Sequence, residues 1–236
     1  MIKEGPAAER DEAADGAPRE QATSEVSGVL GVILAGGQAR RMGGGDKGRL
    51  DLGGQSLIAE VITRLAPQCD AVVLNANGAP ERFADLALPV IADSLPDFPG
   101  PLAGVLAGMD YAADLGLSHV LSAAADTPFL PKDLRAQLEA AALAEGKPIA
   151  LAATREAERL IRQPTFGLWP VALREDLRQV LGEGVSKIVL WAGQHGMAFA
   201  PFDPVPVDPF FNVNTPEDLE LARGIWHKLS QHEAEQ

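Results

Sequence analysis

Apolar positions along the chain follow two alternating rhythms. Short unbroken runs at Gly28–Ala35 (GVLGVILA), Ala71–Leu74 (AVVL), Leu88–Ala92 (LPVIA), His119–Ala124 (HVLSAA) and Ile149–Ala153 (IALAA) are separated by polar stretches. Their length and apolar content predict buried strands. Between them, apolar residues return every three or four positions, which predicts helices over Gln55–Pro67, Pro101–Leu115 and Lys132–Glu145, the second opened by a proline in its first turn. Strands that alternate with helices need crossover connections. The pattern therefore predicts an α/β fold, a single Rossmann-like domain whose largely parallel sheet is flanked by helices on both faces. From about Arg155 the rhythm is less regular. Gln163–Leu168 and Met197–Pro201 read as strands and Val171–Leu181, Val185–Gln194 and Pro216–Lys228 as helices, all extending the same sheet.

The two ends stand outside this pattern. Residues 1–27 hold seven acids, three bases and almost no large apolar side chain, so they read as a disordered acidic extension of charge −4. Residues 230–236 read as a flexible polar tail, which leaves 28–229 as the domain. No basic start runs into an apolar stretch as in a secretory signal, and no segment approaches the roughly 18 apolar residues of a membrane span. The composition of the 236 residues, with 46% hydrophobic, 22% charged and 24 glycines, is that of a globular protein. The one cysteine, Cys69, cannot form an internal disulfide and reads as part of the core; a reducing, cytoplasmic compartment is expected. A net charge of −13 argues against a nucleic-acid or anionic-membrane binder.

In an open parallel sheet, ligands sit beyond the carboxyl ends of the strands, so the loops that follow them carry the chemistry. The first such loop, LAGGQARRMGGGDKG over Leu34–Gly48, combines glycines with Arg40, Arg41 and Lys47. Glycines let backbone N–H groups approach an anion, and the cations neutralise it, so this loop predicts a polyphosphate site. It is not a P-loop, because Lys47 follows Asp46 and precedes Gly48. It is not a dinucleotide fingerprint either, since the G-x-G-x-x-G letters begin well past the strand and enclose a lysine. Asn75 and Asp93 end the second and third strands, as turn formers or as ligand contacts. Asp126 follows the apolar strand VLSAAA at the same edge, as a carboxylate for magnesium beside phosphates or as a helix cap. Asn212 and Asn214 alternate along an extended NVN segment and so share a face, ahead of Thr215 as the N-cap of the last helix. Gly100, Pro101 and Gly104 present a helix N-terminus, a natural anion site. None of the four histidines pairs with a serine or cysteine nucleophile in any visible pattern.

The loop LAGGQARRMGGGDKG, then NAN at Asn75–Asn77, ADSLPDFPGPLAG at Ala92–Gly104, DTP at Asp126–Pro128 and NVNTPEDL at Asn212–Leu219 resemble, in this order, the motifs of the molybdenum cofactor guanylyltransferases. The resemblance runs from Val29 to about Trp226 and implies a nucleotidyltransferase domain. It implies that Leu34, Ala35, Gly36, Gly37, Lys47, Asn75, Asp93 and Asp126 contact GTP, with Lys47 and Arg41 on the phosphates and Mg2+ at Asp126. It also places Gly100, Asn212 and Asn214 beside the molybdopterin, with Arg162 and Thr165 around Pro164 as a further contact and Gln163 standing where some members have a histidine. The implied reaction transfers GMP from GTP to the terminal phosphate of the molybdenum–molybdopterin cofactor, with Lys47, Arg41 and Asp126 as the catalytic groups. Cofactor-insertion chaperones or apoenzymes are the expected recipients of the product. A CTP-dependent cytidylyltransferase, or one acting on a sugar or alcohol phosphate, is the alternative, but the Gly36–Gly37 pair favours guanine. From Gln38 to Arg49, four basic residues face Asp46 alone, a local charge of +3 in an acidic chain. Net charge thus excludes bulk polyanions and still permits one focused triphosphate site.

Overall fold

A computed structural model of the chain describes residues 26–36, 46–95, 100–184 and 187–234. Strands β1 (Val29–Leu34), β2 (Ala71–Asn75), β3 (Val90–Ile91), β4 (His119–Ala124), β5 (Ile149–Glu156), β6 (Arg159–Pro170) and β7 (Met197–Phe202) form one sheet in the order β3-β2-β1-β4-β6-β5-β7. The helices are α1 (Leu57–Leu65), α2 (Pro101–Asp114), α3 (Leu134–Glu145), α4 (Arg174–Gly182), α5 (Ile188–His195) and α6 (Pro216–Ala234). Every strand and helix read from the pattern is present, with ends shifted by a few residues.

The central strand β1 lies between β2 and β4, parallel to both, with Leu34 opposite Asn75 on one side and Ala124 on the other. Strand alternation then divides its side chains between two layers. Val29 and Ile33 belong to the core cluster that α1 and α3 share, whereas Leu30 and Val32 belong to the one that α2, α4 and α5 share. A run buried on both faces has no polar side, which is why GVLGVILA reads as an unbroken apolar stretch. Helix α1 starts at Ser56, whose hydroxyl accepts the Ala59 N–H at 3.3 Å. A smaller cluster, with Leu52, Leu57, Phe129, Val213, Leu219 and Ala222, holds α6 against the strand-end loops.

Among the described residues, four strand pairings are parallel and two antiparallel, both of the latter made by β6. Only Ala157 and Glu158 separate β5 from β6, too few residues for a crossover, so β6 turns back and inserts between β4 and β5. Ala157 takes the left-handed conformation, φ 51°, that this tight turn requires. Trp169 on β6 donates through Nε1 to the buried Ser122 hydroxyl of β4 at 2.8 Å and locks the reversed strand in register. The chain ends differ from the sequence reading in two details. Val26 packs on the core and the Ser27 amide donates to Ser118 Oγ at 2.9 Å, so both contact the domain, whereas their polar, acidic surroundings in the sequence predict an extension. Helix α6 continues to Ala234, through residues read as a tail, with Gln231 reaching back one turn to His227 at 2.9 Å.

Candidate active site

The carboxyl ends of β1, β2 and β4 are tied together by their own backbones. The Ala35 amide donates to Asn75 O at 2.9 Å and the Ala125 amide to Leu34 O at 3.1 Å. The segment before α6 joins them, with the Val213 amide donating to Asp126 O at 3.0 Å. Leu34, Ala35, Asn75 and Asp126 thus share one edge.

Lys47 opens a short 3-10 turn that is pressed onto this edge. The following residue has little room for a side chain, since a Cβ on Gly48 would stand 3.2 Å from the Ala125 Cβ and 3.3 Å from its carbonyl oxygen. Lys47 as a residue is 8% exposed, and its ammonium donates to Asp126 Oδ2 at 2.6 Å, Asn212 Oδ1 at 3.0 Å and Asn214 Oδ1 at 2.5 Å. A buried ammonium is costly unless its three donors are satisfied, and these three oxygens satisfy them. Asn212 and Asn214 do share a face, as the alternation predicts. They are fixed by the cap of α6. Thr215 Oγ1 accepts the Asp218 amide at 3.1 Å while Asp218 Oδ2 accepts the amides of Asn214 and Thr215, each at 2.9 Å. These bonds, the Asn214 amide first, hold the Asp218 carboxyl below its ordinary pKa. Asp218 escaped the sequence reading, although an acid three residues after Thr215 is a recognisable capping pattern.

Asn75 and Asp93 meet a few residues away. Asn75 Nδ2 donates to Asp93 Oδ1 at 2.9 Å, Asn77 Nδ2 to Asp93 Oδ2 at 2.6 Å, and the Asp93 amide to Asn77 Oδ1 at 2.9 Å. Helix α2 presses on this group: a Cβ on Gly104 would fall 2.2 Å from Asn75 Oδ1 and 2.6 Å from Leu34 Cδ2. Gly100, at φ 129°, forms the N-cap of α2 in open space. Gly36 likewise has open space around it. Gly37, Arg40 and Arg41 lie outside the described residues. Of the other loop charges, Arg49 pairs with Asp85 at 2.7 Å and Asp46 with Arg82 at 2.8 Å, the latter guanidinium lying 4.8 Å over the Phe83 ring. Arg162 turns onto Phe199, 5.5 Å from the ring centroid, and Thr165 offers its carbonyl to Ser122.

No group of three or more His, Cys, Asp or Glu side chains that could hold a metal occurs among the described residues. What converges on one cationic point is instead a carboxylate and two amide oxygens, with the Lys47 ammonium as a stand-in cation. An all-oxygen set with one acid fits magnesium, which keeps several waters and takes substrate phosphate oxygens as well. Cys69 lies off the site; burial pushes its thiol up to about 12.

A largely parallel sheet that gathers a lysine, an acid and amides past its strand ends, in a chain whose first strand is followed in sequence by a glycine-rich stretch, is a nucleotidyltransferase arrangement, and residues 31–196 match the MobA-like NTP transferase domain. A molybdenum cofactor guanylyltransferase from Bradyrhizobium sp. (strain ORS 278) is 50% identical over 86% of this chain and 95% of its own. One from Nitrobacter hamburgensis is 48% identical over 86% and 97%. The chain belongs to the molybdenum cofactor guanylyltransferase family. A crystal structure of molybdopterin-guanine dinucleotide biosynthesis protein A from Archaeoglobus fulgidus, 24% identical, superposes with a TM-score of 0.64 over 85% of this chain and 99% of its own and has the same fold. The relatives do not favour the cytidylyl or sugar-phosphate alternative. No described helix is long and apolar enough to cross a membrane.

Proposed function

We propose that the chain transfers GMP from GTP to the terminal phosphate of the molybdenum–molybdopterin cofactor. A phosphate oxygen of the pterin attacks the α-phosphorus, the bond to the β-phosphate breaks, and pyrophosphate leaves. The observation that supports this reading is the meeting of Lys47 with Asp126, Asn212 and Asn214, because it joins the loop proposed for the nucleotide to the segment proposed for the pterin.

The glycine-rich loop takes the triphosphate, with Leu34, Ala35, Gly36 and Gly37 near the nucleotide and Lys47 and Arg41 supplying charge. Asn75 and Asp93 contact the nucleoside, while Gly100 at the α2 N-terminus and the asparagine pair orient the pterin phosphate. Asp126 would hold magnesium, joined by the amide oxygens of Asn212 and Asn214, and the ion would supply neutralisation of the charge that builds on the phosphates. No protein nucleophile is needed, since alignment and charge stabilisation account for such transfers. The single free thiol supports a reducing, cytoplasmic setting.

The test measures pyrophosphate release from GTP, magnesium and molybdopterin. Asp126→Ala is expected to lower the rate by at least about 10²-fold, and near-normal turnover would remove Asp126 from the metal site. A panel of GTP, CTP, ATP and UTP in the same assay should show turnover with GTP alone.

A further inference from the structure

Asn77 is exposed, yet both ends of its amide are engaged by one residue. Its Oδ1 accepts the Asp93 amide at 2.9 Å and its Nδ2 donates to Asp93 Oδ2 at 2.6 Å, so the loop after β2 clasps the loop after β3 at two points. The other carboxylate oxygen takes Asn75 Nδ2 at 2.9 Å, and Asn75 is only 5% exposed and wedged against Gly104. Asp93 is therefore gripped from the inside by a fixed amide and from the outside by Asn77. Such exposed hydrogen bonds add little to stability, so stability alone does not account for a two-point clasp at the site edge. What the clasp does set is the rotation of the carboxylate. Each oxygen keeps a free lone pair, and the two amides orient both lone pairs together. The next residue, Ser94, is anchored separately, its hydroxyl donating to Asp110 Oδ2 on α2 at 2.5 Å. Loss of Asn77 would therefore free the Asp93 side chain rather than the whole loop.

We infer that Asn77 is a positioning residue for nucleotide selection: it aims the Asp93 carboxylate at a pair of adjacent donors on GTP. This rests on the reading of Asp93 as a nucleotide contact. Two parts of GTP offer adjacent donors, the guanine N1–H with its 2-amino group and the ribose 2′- and 3′-hydroxyls. ITP lacks the 2-amino group and 2′-deoxy-GTP lacks one hydroxyl, so the two analogues separate the sources.

The experiment measures kcat and KM with GTP, ITP and 2′-deoxy-GTP for wild type, Asn77→Ala, Asp93→Ala and the double variant, with thermal unfolding as a check on the fold. Asn77→Ala is expected to raise KM for GTP about tenfold, to leave kcat within about twofold, and to erase the wild-type preference for GTP over one analogue. On the Asp93→Ala background, Asn77→Ala should add nothing. Additive effects overturn the inference, as does a rise in KM that keeps the preference intact. Should Asn77→Ala unfold, Asn77→Asp keeps the size and the accepting oxygen but sets a second carboxylate against Asp93; it is expected to weaken GTP further, and an unchanged KM again overturns the inference. If Asp93→Ala itself leaves KM and preference unchanged, the assignment of Asp93 falls, and if wild type releases no pyrophosphate from GTP, the proposed reaction falls.

Discussion

Lys47 is the residue on which the two halves of the site converge. Its ammonium occupies the point toward which one carboxylate and two amide oxygens are aimed, and a divalent cation drawing on the same oxygens has to share or displace it. A unit charge so near Asp126 also repels any second cation in a partly desolvated setting. Lys47→Met keeps the length of the side chain and removes the charge. It is expected to tighten Mn2+ binding about tenfold in the absence of nucleotide, followed by electron paramagnetic resonance, while pyrophosphate release falls by at least about 10²-fold. Unchanged or weaker Mn2+ binding would mean that lysine and metal do not compete. Much of this residue scale was legible in the sequence, which picked out Lys47, Asp126, Asn212 and Asn214 one by one. It paired Lys47 with phosphates rather than with the acid, because 79 residues separate Lys47 from Asp126 and no local pattern spans that distance.

At the scale of elements, α2 braces the corner where Asn75 meets Asp93. Its first turn lies so close to β1 and β2 that only a glycine fits at position 104, where any Cβ would overlap Asn75 Oδ1 and Leu34 Cδ2. Asn75 is a buried amide in a close-packed setting and cannot yield without turning away from Asp93. Gly104→Ala should therefore cost about 1–3 kcal/mol of stability, read by chemical denaturation, and raise KM for GTP more than it lowers kcat. A variant as stable and as tight for GTP as wild type would show that α2 does not brace this corner. The sequence flagged the FPGPLAG turn as an anion site at a helix N-terminus, but the role of Gly104 as a packing contact follows from the register of α2 on the sheet. The reversal of β6 is similar. Its apolar run was visible, whereas its direction depended on the two-residue turn before it and on the Trp169–Ser122 bond.

For the whole molecule, charge distribution outweighs total charge. The chain carries −13, of which −4 belongs to residues 1–27, yet Gln38–Arg49 is locally +3. Pairing with neighbours sharpens this further, since Arg49 is matched by Asp85 and Asp46 by Arg82, which leaves Lys47, held by Asp126, as the buried cation of this loop among the described residues. Screening over about 8–10 Å at ordinary salt makes a remote acidic segment weak against such a focus. Deletion of residues 1–25 is expected to change KM for GTP by less than about twofold at physiological ionic strength, and a larger shift in the kinetic assay would tie that segment to the nucleotide site. The sequence by itself determined the α/β class, the positions of strands and helices, the glycine-rich loop and the order of the motifs, because periodicity, capping and turn chemistry act over a few neighbouring residues. Only the tertiary structure decided that β6 runs backwards between β4 and β5, that Lys47 meets residues 79, 165 and 167 positions away, and that Asn77 clasps Asp93. Those contacts depend on strand register and on how distant loops pack at one edge, a property of the assembled sheet that no short stretch of sequence carries.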